Sequence, residues 1–214
     1  AKGYLVPPKP EALKTNVSIA HVKTLAGDFS AKELAEAINV EERNKLIADR
    51  VIKAVKEEGR KGILYAASVD HSKAMAKILE EAGLKVAEIY GETDKEERRE
   101  TIESIKSGEI DILVNNLVAV EGFDLPIVDF IVMARPTKSL GLMIQCLGRG
   151  LRLHPDKKDC LFVDVFDLVK TTQSRITYEK VASVGDIDGS QRRFDAIMKE
   201  KIADELKNFP VVLK

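Results

Sequence analysis

The chain has 214 residues, of which 44% are hydrophobic, enough for a buried core in one domain with appended elements or in two small domains. Its 34 basic and 35 acidic residues give a net charge of −1, so the overall charge offers no general attraction to nucleic acid or to an anionic membrane. Any nucleic-acid contact must therefore be local.

The start of the chain, AKGYLVPPKP, lacks the charged-then-apolar pattern of a secretory signal, and no apolar run is long enough to span a membrane. We therefore expect an intracellular protein. The two cysteines, Cys146 and Cys160, lie in apolar surroundings without a CxxC pair or neighbouring histidines. This favours two buried, reduced side chains over a disulfide or a zinc site.

Residues 1–29 are predicted to be a connector, because Pro7, Pro8 and Pro10 restrict the backbone to extended conformations and remove hydrogen-bond donors. From residue 30 onwards, apolar residues recur at three- and four-residue intervals in AKELAEAIN and EERNKLIADRVIKAVKEEG. The pattern predicts two amphipathic helices, the second closed by Gly59 as a helix C-cap.

Short apolar runs then alternate with helical patterns. Runs that are apolar at consecutive positions are typical of parallel strands covered by helices on both faces, and right-handed crossovers between them produce a doubly wound α/β sheet. We predict at least five strands, in GILYAA, KVAEIY, IDILVNN, VDFIVMA and DCLFVDVFD. Residues 30–170 are assigned to this domain and 171–214 to a C-terminal extension, with a helix over QRRFDAIMKEKIADELKNF.

The segment QCLGRGLR, from Gln145 to Arg152, follows a predicted strand and ends a predicted helix. Arg149 and Arg152 are three residues apart, so on a helix both could reach the same anionic group. A planar guanidinium also stabilises a transferring phosphoryl group well. The simpler alternative is a pair of solvated arginines at a helix end, where the helix dipole favours cations.

The segment EGFDLP lies 24 residues upstream and follows the strand IDILVNN. Gly122 would allow a sharp turn against a ligand, and Asp124 could accept a hydrogen bond from a ribose hydroxyl. The alternative is a turn that merely ends the strand. Asn115 and Asn116, at the end of that strand, are candidates for hydrogen bonds to a phosphate or a base.

Three further strand-to-helix junctions carry candidate nucleic-acid contacts. A helix N-terminus with free amides can bind a backbone phosphate. The candidates are Ser68 after the first buried strand, Gly91 and Thr93 after the second, and Thr137 and Lys138 in the segment RPTKS. In that last segment Ser139 is equally well explained as a helix N-cap.

Taken in order over about residues 60–168, these segments resemble motifs IV, V and VI (QxxGRxxR) of the second RecA-like domain of superfamily 2 helicases. The resemblance implies a RecA-like fold. It also implies that Arg149 and Arg152 act as catalytic arginine fingers, and that Gly122, Asp124 and Gln145 join them in binding ATP. One departure is that Asn115 and Asn116 stand where many relatives have threonine.

The chain contains no GxxxxGK[ST] loop and no DExH or DEAD box. The resemblance places these in a first RecA-like domain of the same polypeptide, which would bind most of the ATP and the Mg²⁺ and from which residues 1–29 would lead. The chain alone should then be a poor ATPase. The RPT segment resembles the DNA-repair, restriction-enzyme and XPB-like members of superfamily 2, and Gln145 stands where RNA-specific DEAD-box relatives commonly have histidine. This closer resemblance implies DNA as the nucleic acid and repair, restriction or genome maintenance as the setting.

Three alternatives to a helicase have less support in the sequence. A degenerate helicase-like module would bind nucleic acid without ATPase activity, but the retained Arg149 and Arg152 argue against it. A Rossmann-like or flavodoxin-like enzyme is disfavoured because no GxGxxG follows the first strand. A purely structural role has no sequence feature in its favour.

Overall fold

The computed structural model describes residues 5–116 and 124–168. Within these ranges the chain forms eight strands and five helices. Their bounds are β1 Pro8–Ser18, β2 Thr24–Leu25, β3 Asp28–Phe29, α1 Ala31–Ile38, α2 Glu41–Lys56, β4 Gly62–Tyr65, α3 Val69–Glu81, β5 Val86–Ile89, α4 Lys95–Lys106, β6 Ile112–Asn115, β7 Phe130–Met133, α5 Leu140–Gly150 and β8 Cys160–Leu168. The predicted C-terminal helix and Gly122 lie outside the described residues.

Six strands form one sheet in the order β1-β8-β7-β4-β6-β5, and every neighbouring pair is parallel. The central strand β4 pairs on both sides, with Leu64 opposite Val114 of β6 and Val132 of β7. All four residues of β4, β6 and β7 are buried, as expected for parallel strands covered on both faces. The predicted doubly wound α/β sheet is confirmed, with all five predicted strands in it.

Helices cover both faces of the sheet. On one face, α4 and α5 pack against strand residues such as Ile63 and Ile131. On the other face, α2 and α3 pack against the alternate residues of the same strands, such as Leu64 and Val132. The two faces therefore have separate hydrophobic cores, and α5, which carries Arg149, belongs to the first of them.

The sixth strand, β1, corrects the expectation that the proline-rich start is denied strand hydrogen bonds. Residues from Pro8 onwards pair with β8 at the edge of the sheet. The carbonyl of Pro7 accepts a hydrogen bond from the Cys160 amide at 3.0 Å, so the alternate residues Pro8 and Pro10 turn their backbone away from β8. An edge strand tolerates proline when its missing N–H faces outwards, and that is the arrangement here.

A third, smaller core lies beside the sheet and joins the β2–β3 hairpin to α1. Its buried residues are Ile19, Val22, Phe29, Leu34, Ile38 and Ala67. Ala67 follows β4, so this small core rests on the carboxyl end of the central strand. No helix in the described ranges has the length and apolar character that a membrane crossing requires.

Candidate functional site

The segments that follow β4, β5, β6 and β7 meet at one edge of the sheet, because parallel strands all end on the same side. We call this the carboxyl edge. It brings together the predicted nucleic-acid contacts, which are Ser68, Gly91, Thr93, Asn115, Asn116, Thr137 and Lys138.

Ser68 lies between the buried strand β4 and α3, as predicted, and the structure shows that it is the N-cap of α3. Its Oγ accepts a hydrogen bond from the His71 amide at 3.1 Å. Its carbonyl accepts one from the Ser72 hydroxyl at 3.1 Å. The serine hydroxyl therefore organises the first turn of α3, and its half-buried side chain lies at the carboxyl edge.

Gly91 and Thr93 belong to a tight turn between β5 and α4. The Tyr90 amide donates to Thr93 Oγ1 at 2.9 Å, and the Thr93 amide donates to the Tyr90 carbonyl at 3.2 Å. The carboxylate of Asp94 accepts from the amides of Glu96 and Glu97 at the start of α4. Because acidic side chains occupy this helix N-terminus, the exposed backbone at Gly91 is better placed than the helix itself to approach a phosphate.

The two asparagines after β6 differ in accessibility. Asn115 is 1% exposed, so its side chain has almost no surface that a nucleic-acid strand could contact. Its backbone carbonyl accepts a hydrogen bond from the Ala66 amide. Asn116 is half-buried, and its Oδ1 has no hydrogen-bond partner among the described residues. Of the pair, Asn116 keeps more exposed surface, although its Oδ1 atom is itself buried.

Thr137 and Lys138 are both engaged by Asp28 of the β2–β3 hairpin. The Thr137 hydroxyl donates to Asp28 Oδ2 at 2.9 Å, and the Lys138 amide donates to Asp28 Oδ1 at 2.7 Å. Thr137 is fully buried and also accepts from the Ser139 amide at 3.0 Å. Because Thr137 is buried, it does not contact a nucleic-acid strand directly in this structure, contrary to expectation. Lys138 is half-buried, so part of its side chain remains accessible to solvent.

Helix α5 starts at the carboxyl edge and ends at the opposite edge. Ser139 caps it, with Oγ accepting from the Leu142 amide at 3.2 Å. At its other end, a β-carbon on Gly150 would come within 2.6 Å of the side chain of Ile131, the second residue of β7, and closer still to the Cys160 sulfur at the start of β8. Glycine at this position lets the end of α5 lie directly on the sheet.

Arg149 lies in the last turn of α5 and is 5% exposed. Its positive charge lies near Tyr65 and Cys146. Burial raises the pKa of the Tyr65 hydroxyl and of the Cys146 thiol, and Arg149 opposes both shifts only in part. Both groups therefore stay neutral at physiological pH. The guanidinium thus stands in a largely water-excluded setting, where its charge acts more strongly on an anion than it would in water.

Arg152 lies past the C-cap of α5, Leu151, so the two arginines do not share one helical face as predicted. The helix ends at Gly150, where it packs directly against Ile131 of β7 and Cys160 of β8. The Arg152 side chain is 11% exposed and forms an ion pair with the carboxylate of Asp124, which is 60% exposed. The structure thereby joins one predicted motif VI residue to one predicted motif V residue.

The predicted residues form two groups at opposite ends of α5. One group lies at the last turn of α5, at the edge of the sheet opposite the carboxyl edge, and consists of Arg149, Arg152 and Asp124. Lys138 lies at the other end, just before the first residue of the helix. An 11-residue helix is roughly 16 Å long. Gln145, an exposed residue in the middle of α5, lies one turn before Arg149 and on the same side of the helix. The site therefore separates the candidate nucleotide residues from the candidate strand contacts.

Sequence reasoning missed a buried polar network at the carboxyl edge. Arg43 donates to Asp167 Oδ1 at 2.7 Å and Oδ2 at 2.9 Å, and to the Ala134 carbonyl at 2.8 Å. His71 also belongs to this network, since it is fully buried and shares a 3.1 Å hydrogen bond with Asn44. The burial of Arg43 could have been inferred from the helical spacing of the apolar residues, because position 43 lies on the same face of α2 as the buried core residues.

The fit of the implied ligands to these residues is uneven. Two mostly buried arginines suit the triphosphate of ATP, since guanidinium groups bind phosphate oxygens in a bidentate way. Within residues 5–116 and 124–168, no three His, Cys, Asp or Glu side chains converge to hold a metal ion. Cys146 and Cys160 are both buried and free, as predicted.

Residues 42–154 match the family model described as the helicase conserved C-terminal domain. The Saccharomyces cerevisiae protein IRC3, an ATP-dependent helicase by its name, is 32% identical over 162 residues, or 75% of this chain and 24% of IRC3. UvrABC system protein B of Campylobacter fetus is 30% identical over 154 residues, or 67% of this chain and 23% of that protein. This chain thus spans about a quarter of the length of these two relatives.

The crystal structure of T4 UvsW has the same fold, with a TM-score of 0.56 at 19% identity over 94% of this chain and 40% of UvsW. The parallel sheet, the order of the segments and the family match over residues 42–154 agree with one another. The chain belongs to the helicase conserved C-terminal domain family, with the RecA-like fold of the second domain of superfamily 2 helicases.

Proposed function

We propose that this chain is the second half of an ATP-driven nucleic-acid motor and that Arg149 and Arg152 are its catalytic arginines. The observation that carries the proposal is their placement at one end of α5, where Gly150 lets the helix lie against the sheet. A guanidinium held in a rigid, largely buried position needs little reorganisation when charge develops nearby. Gln145, Asp124 and Gly122 complete the proposed nucleotide-binding set.

In this proposal the first RecA-like domain of the same polypeptide binds most of the ATP and the Mg²⁺. Bound Mg²⁺ would neutralise charge on the phosphates. The arginines of this chain would neutralise charge that develops on the γ-phosphate, a contribution of about 10³- to 10⁵-fold in rate for such residues. Because the two domains must meet around ATP, opening and closing of that interface would drive movement along a strand.

The carboxyl edge is the proposed nucleic-acid side. Ser68, Gly91, Thr93, Asn116 and Lys138 retain some surface there. Phosphate contacts of this kind fix the register of a protein on a strand without reading its sequence. Asn115 and Thr137 are buried, so in this proposal they stabilise the carboxyl edge and do not contact the nucleic acid.

DNA is the proposed polymer, and genome maintenance, repair or restriction the proposed setting. The support is the RPT segment at residues 135–137 and the presence of Gln145 where RNA-specific DEAD-box relatives commonly have histidine. The structure adds that Gln145 is exposed on α5, so its side chain is free to take part in an interface.

The test is ATP hydrolysis by the chain extended into its preceding coding region by roughly 150 to 200 residues, one further domain. The rate is measured alone and with single-stranded and duplex DNA and RNA. We expect stimulation by DNA and little activity from the 214-residue chain. Stimulation by RNA alone would overturn the choice of polymer, and nucleic-acid binding without hydrolysis would indicate the degenerate module instead.

A further inference from the structure

The β2–β3 hairpin is a small, well-defined unit at the carboxyl edge. Thr24 pairs with Phe29 and Leu25 with Asp28, and the connecting residues Ala26 and Gly27 have φ angles of 48° and 86°. Two successive positive φ angles are the signature of a type I′ turn, whose twist suits a two-residue hairpin. The fixed turn means that the hairpin presents a defined surface.

Asp28 fastens this hairpin to the segment between β7 and α5. Its Oδ1 accepts from the amides of Phe29 at 2.8 Å and Lys138 at 2.7 Å. Its Oδ2 accepts from the Thr137 hydroxyl at 2.9 Å and from the Arg135 guanidinium at 3.2 Å. One carboxylate thus holds three residues of the segment RPTKS in place.

The hairpin also fixes the ammonium group of Lys138. The Lys138 nitrogen lies 4.6 Å from the centroid of the Phe29 ring, within the range of a cation–π contact, and it donates to the Thr24 hydroxyl. The neighbouring side chains are open to solvent, since Leu25 is 60% exposed. The Lys23 side chain is 77% exposed, although its ammonium group forms a 3.4 Å ion pair with Glu33. A lysine that would otherwise sample many rotamers is therefore held at the surface beside the hairpin.

The hairpin is continuous with the proposed nucleic-acid side of the domain. Phe29 and Val22 pack in the same small core as Ala67, which directly precedes Ser68 and the start of α3. Lys138 and Ser68 therefore flank one small unit of structure rather than two unrelated loops.

We propose that the β2–β3 hairpin is part of the nucleic-acid interface, where Lys23, Leu25 and Lys138 contact the strand and Asp28 is a positioning residue that holds Lys138 in place. The inference rests on the proposed function, because it assumes that the carboxyl edge binds nucleic acid. It extends that function by adding residues 23–29 to the interface and by giving the buried Thr137 a supporting role.

The effect of replacing Asp28 on nucleic-acid affinity should be opposite in direction to the effect of its charge alone. Replacing Asp28 removes a negative charge beside the interface, which by charge alone should strengthen binding to a polyanion. If Asp28 instead holds Lys138, the same replacement weakens binding because the lysine loses its fixed position. The direction of the change therefore separates the two explanations.

The experiment is titration of the full 214-residue chain into fluorescently labelled single-stranded and duplex DNA and RNA, read by anisotropy at several salt concentrations. We expect Asp28→Ala to weaken binding by about fivefold or more, and Lys138→Ala to weaken it and to reduce the salt slope by about 1. Asp28→Asn should fall between Asp28→Ala and the wild type, since it keeps one side-chain oxygen for the backbone amides. Glu36→Ala, which removes an exposed acid from the adjacent α1, is the charge control and should not weaken binding.

A second control separates positioning from loss of fold. Val22→Ala loosens the small core without touching Asp28 or Lys138, and its melting temperature is compared with that of Asp28→Ala. At matched loss of stability, Val22→Ala should bind more tightly than Asp28→Ala. Unchanged or tighter binding by Asp28→Ala, or equal weakening by Val22→Ala, overturns the inference. A wild-type chain that binds none of the polymers overturns the proposed nucleic-acid side itself.

Discussion

Arg152 and Asp124 form an ion pair that joins the end of α5 to the segment before β7. Asp124 was predicted to accept a hydrogen bond from the ribose of a bound nucleotide. In the structure its carboxylate instead engages one of the two predicted catalytic arginines. A carboxylate that orients an arginine acts on the rate of the chemical step, whereas one that binds ribose acts mainly on nucleotide affinity.

Asp124→Ala should therefore lower the kcat for ATP hydrolysis of the extended protein, by about tenfold, with a smaller change in KM. The reason is that Arg152 would lose the group that fixes its orientation. The same substitution in an Arg152→Ala background should add little, because residues in direct contact are not additive. A rise in KM that persists without Arg152, with kcat unchanged, would support the ribose role instead.

The buried pair Arg43 and Asp167 should matter for stability. Both side chains are completely buried, and Asp167 also accepts from the Thr15 hydroxyl at 2.6 Å. Arg43→Ala should cost about 3 to 5 kcal/mol in the free energy of unfolding, because it leaves a buried carboxylate without its main partner. Urea titration of the chain measures this, with Lys53→Ala on the exposed side of the same helix as the control.

The paired change Arg43→Met with Asp167→Leu tests the reason for that loss. Removing both residues avoids an unpaired buried charge, so the double variant should recover part of the stability that Arg43→Ala loses. The Thr15 hydroxyl and the Ala134 carbonyl still lose their hydrogen bonds to this pair, so the recovery should be incomplete. If Arg43→Ala alone costs less than about 1 kcal/mol, the buried pair is not a stabilising element.

His71 should make the stability of the chain depend on pH. Burial, and to a lesser extent the positive charge of Arg43, lowers its pKa from 6.5 to about 3. The Ala67 amide donates to its Nδ1 at 3.2 Å, so the neutral ring is the hydrogen-bonded form. Below pH 6.5 the unfolded chain takes up a proton that the folded chain rejects.

The contribution of His71 to the free energy of unfolding is therefore complete above pH 6.5 and decreases as the pH falls towards 3. The loss between pH 7.5 and pH 5.0 should be about 2 kcal/mol, measured by chemical unfolding. His71→Gln should remove this part of the pH dependence, and His21→Gln, at an exposed position, should leave it intact. An identical pH profile for His71→Gln and the wild type would contradict the assignment.

Gly150 should resist replacement by alanine. Alanine favours a helix by about 1 kcal/mol over glycine, but overpacking of a close contact costs about 1 to 3 kcal/mol. The added carbon would meet the Cys160 sulfur and the Ile131 side chain. We expect a lower melting temperature for Gly150→Ala and partial recovery with Cys160→Ala. A higher melting temperature for the single variant would show that α5 has room to shift.

The strands and their order of appearance were predictable because their consecutive apolar residues leave few alternatives to parallel strands. The start of α3 just beyond Ser68 was predictable because a helical pattern follows the buried strand there, whereas the capping role of the Ser68 hydroxyl was not predicted. The contacts of Asp28 and Asp167 were not, because they join residues more than a hundred positions apart. The edge strand β1 was missed because proline removes a donor, and only the sheet order shows that Pro8 and Pro10 face outwards.

The most direct test of the account is ATP hydrolysis by the extended protein carrying Arg149→Ala, Arg149→Lys or Arg152→Ala, with Arg99→Ala as an exposed arginine control. We expect kcat to fall by about 10³-fold or more for Arg149→Ala, with no rescue by lysine, because lysine lacks the planar guanidinium. Arg99→Ala should keep wild-type activity, and melting temperatures confirm that each variant is folded. Full activity in an Arg149→Ala, Arg152→Ala double variant, or ATP hydrolysis by the 214-residue chain alone, would contradict the account.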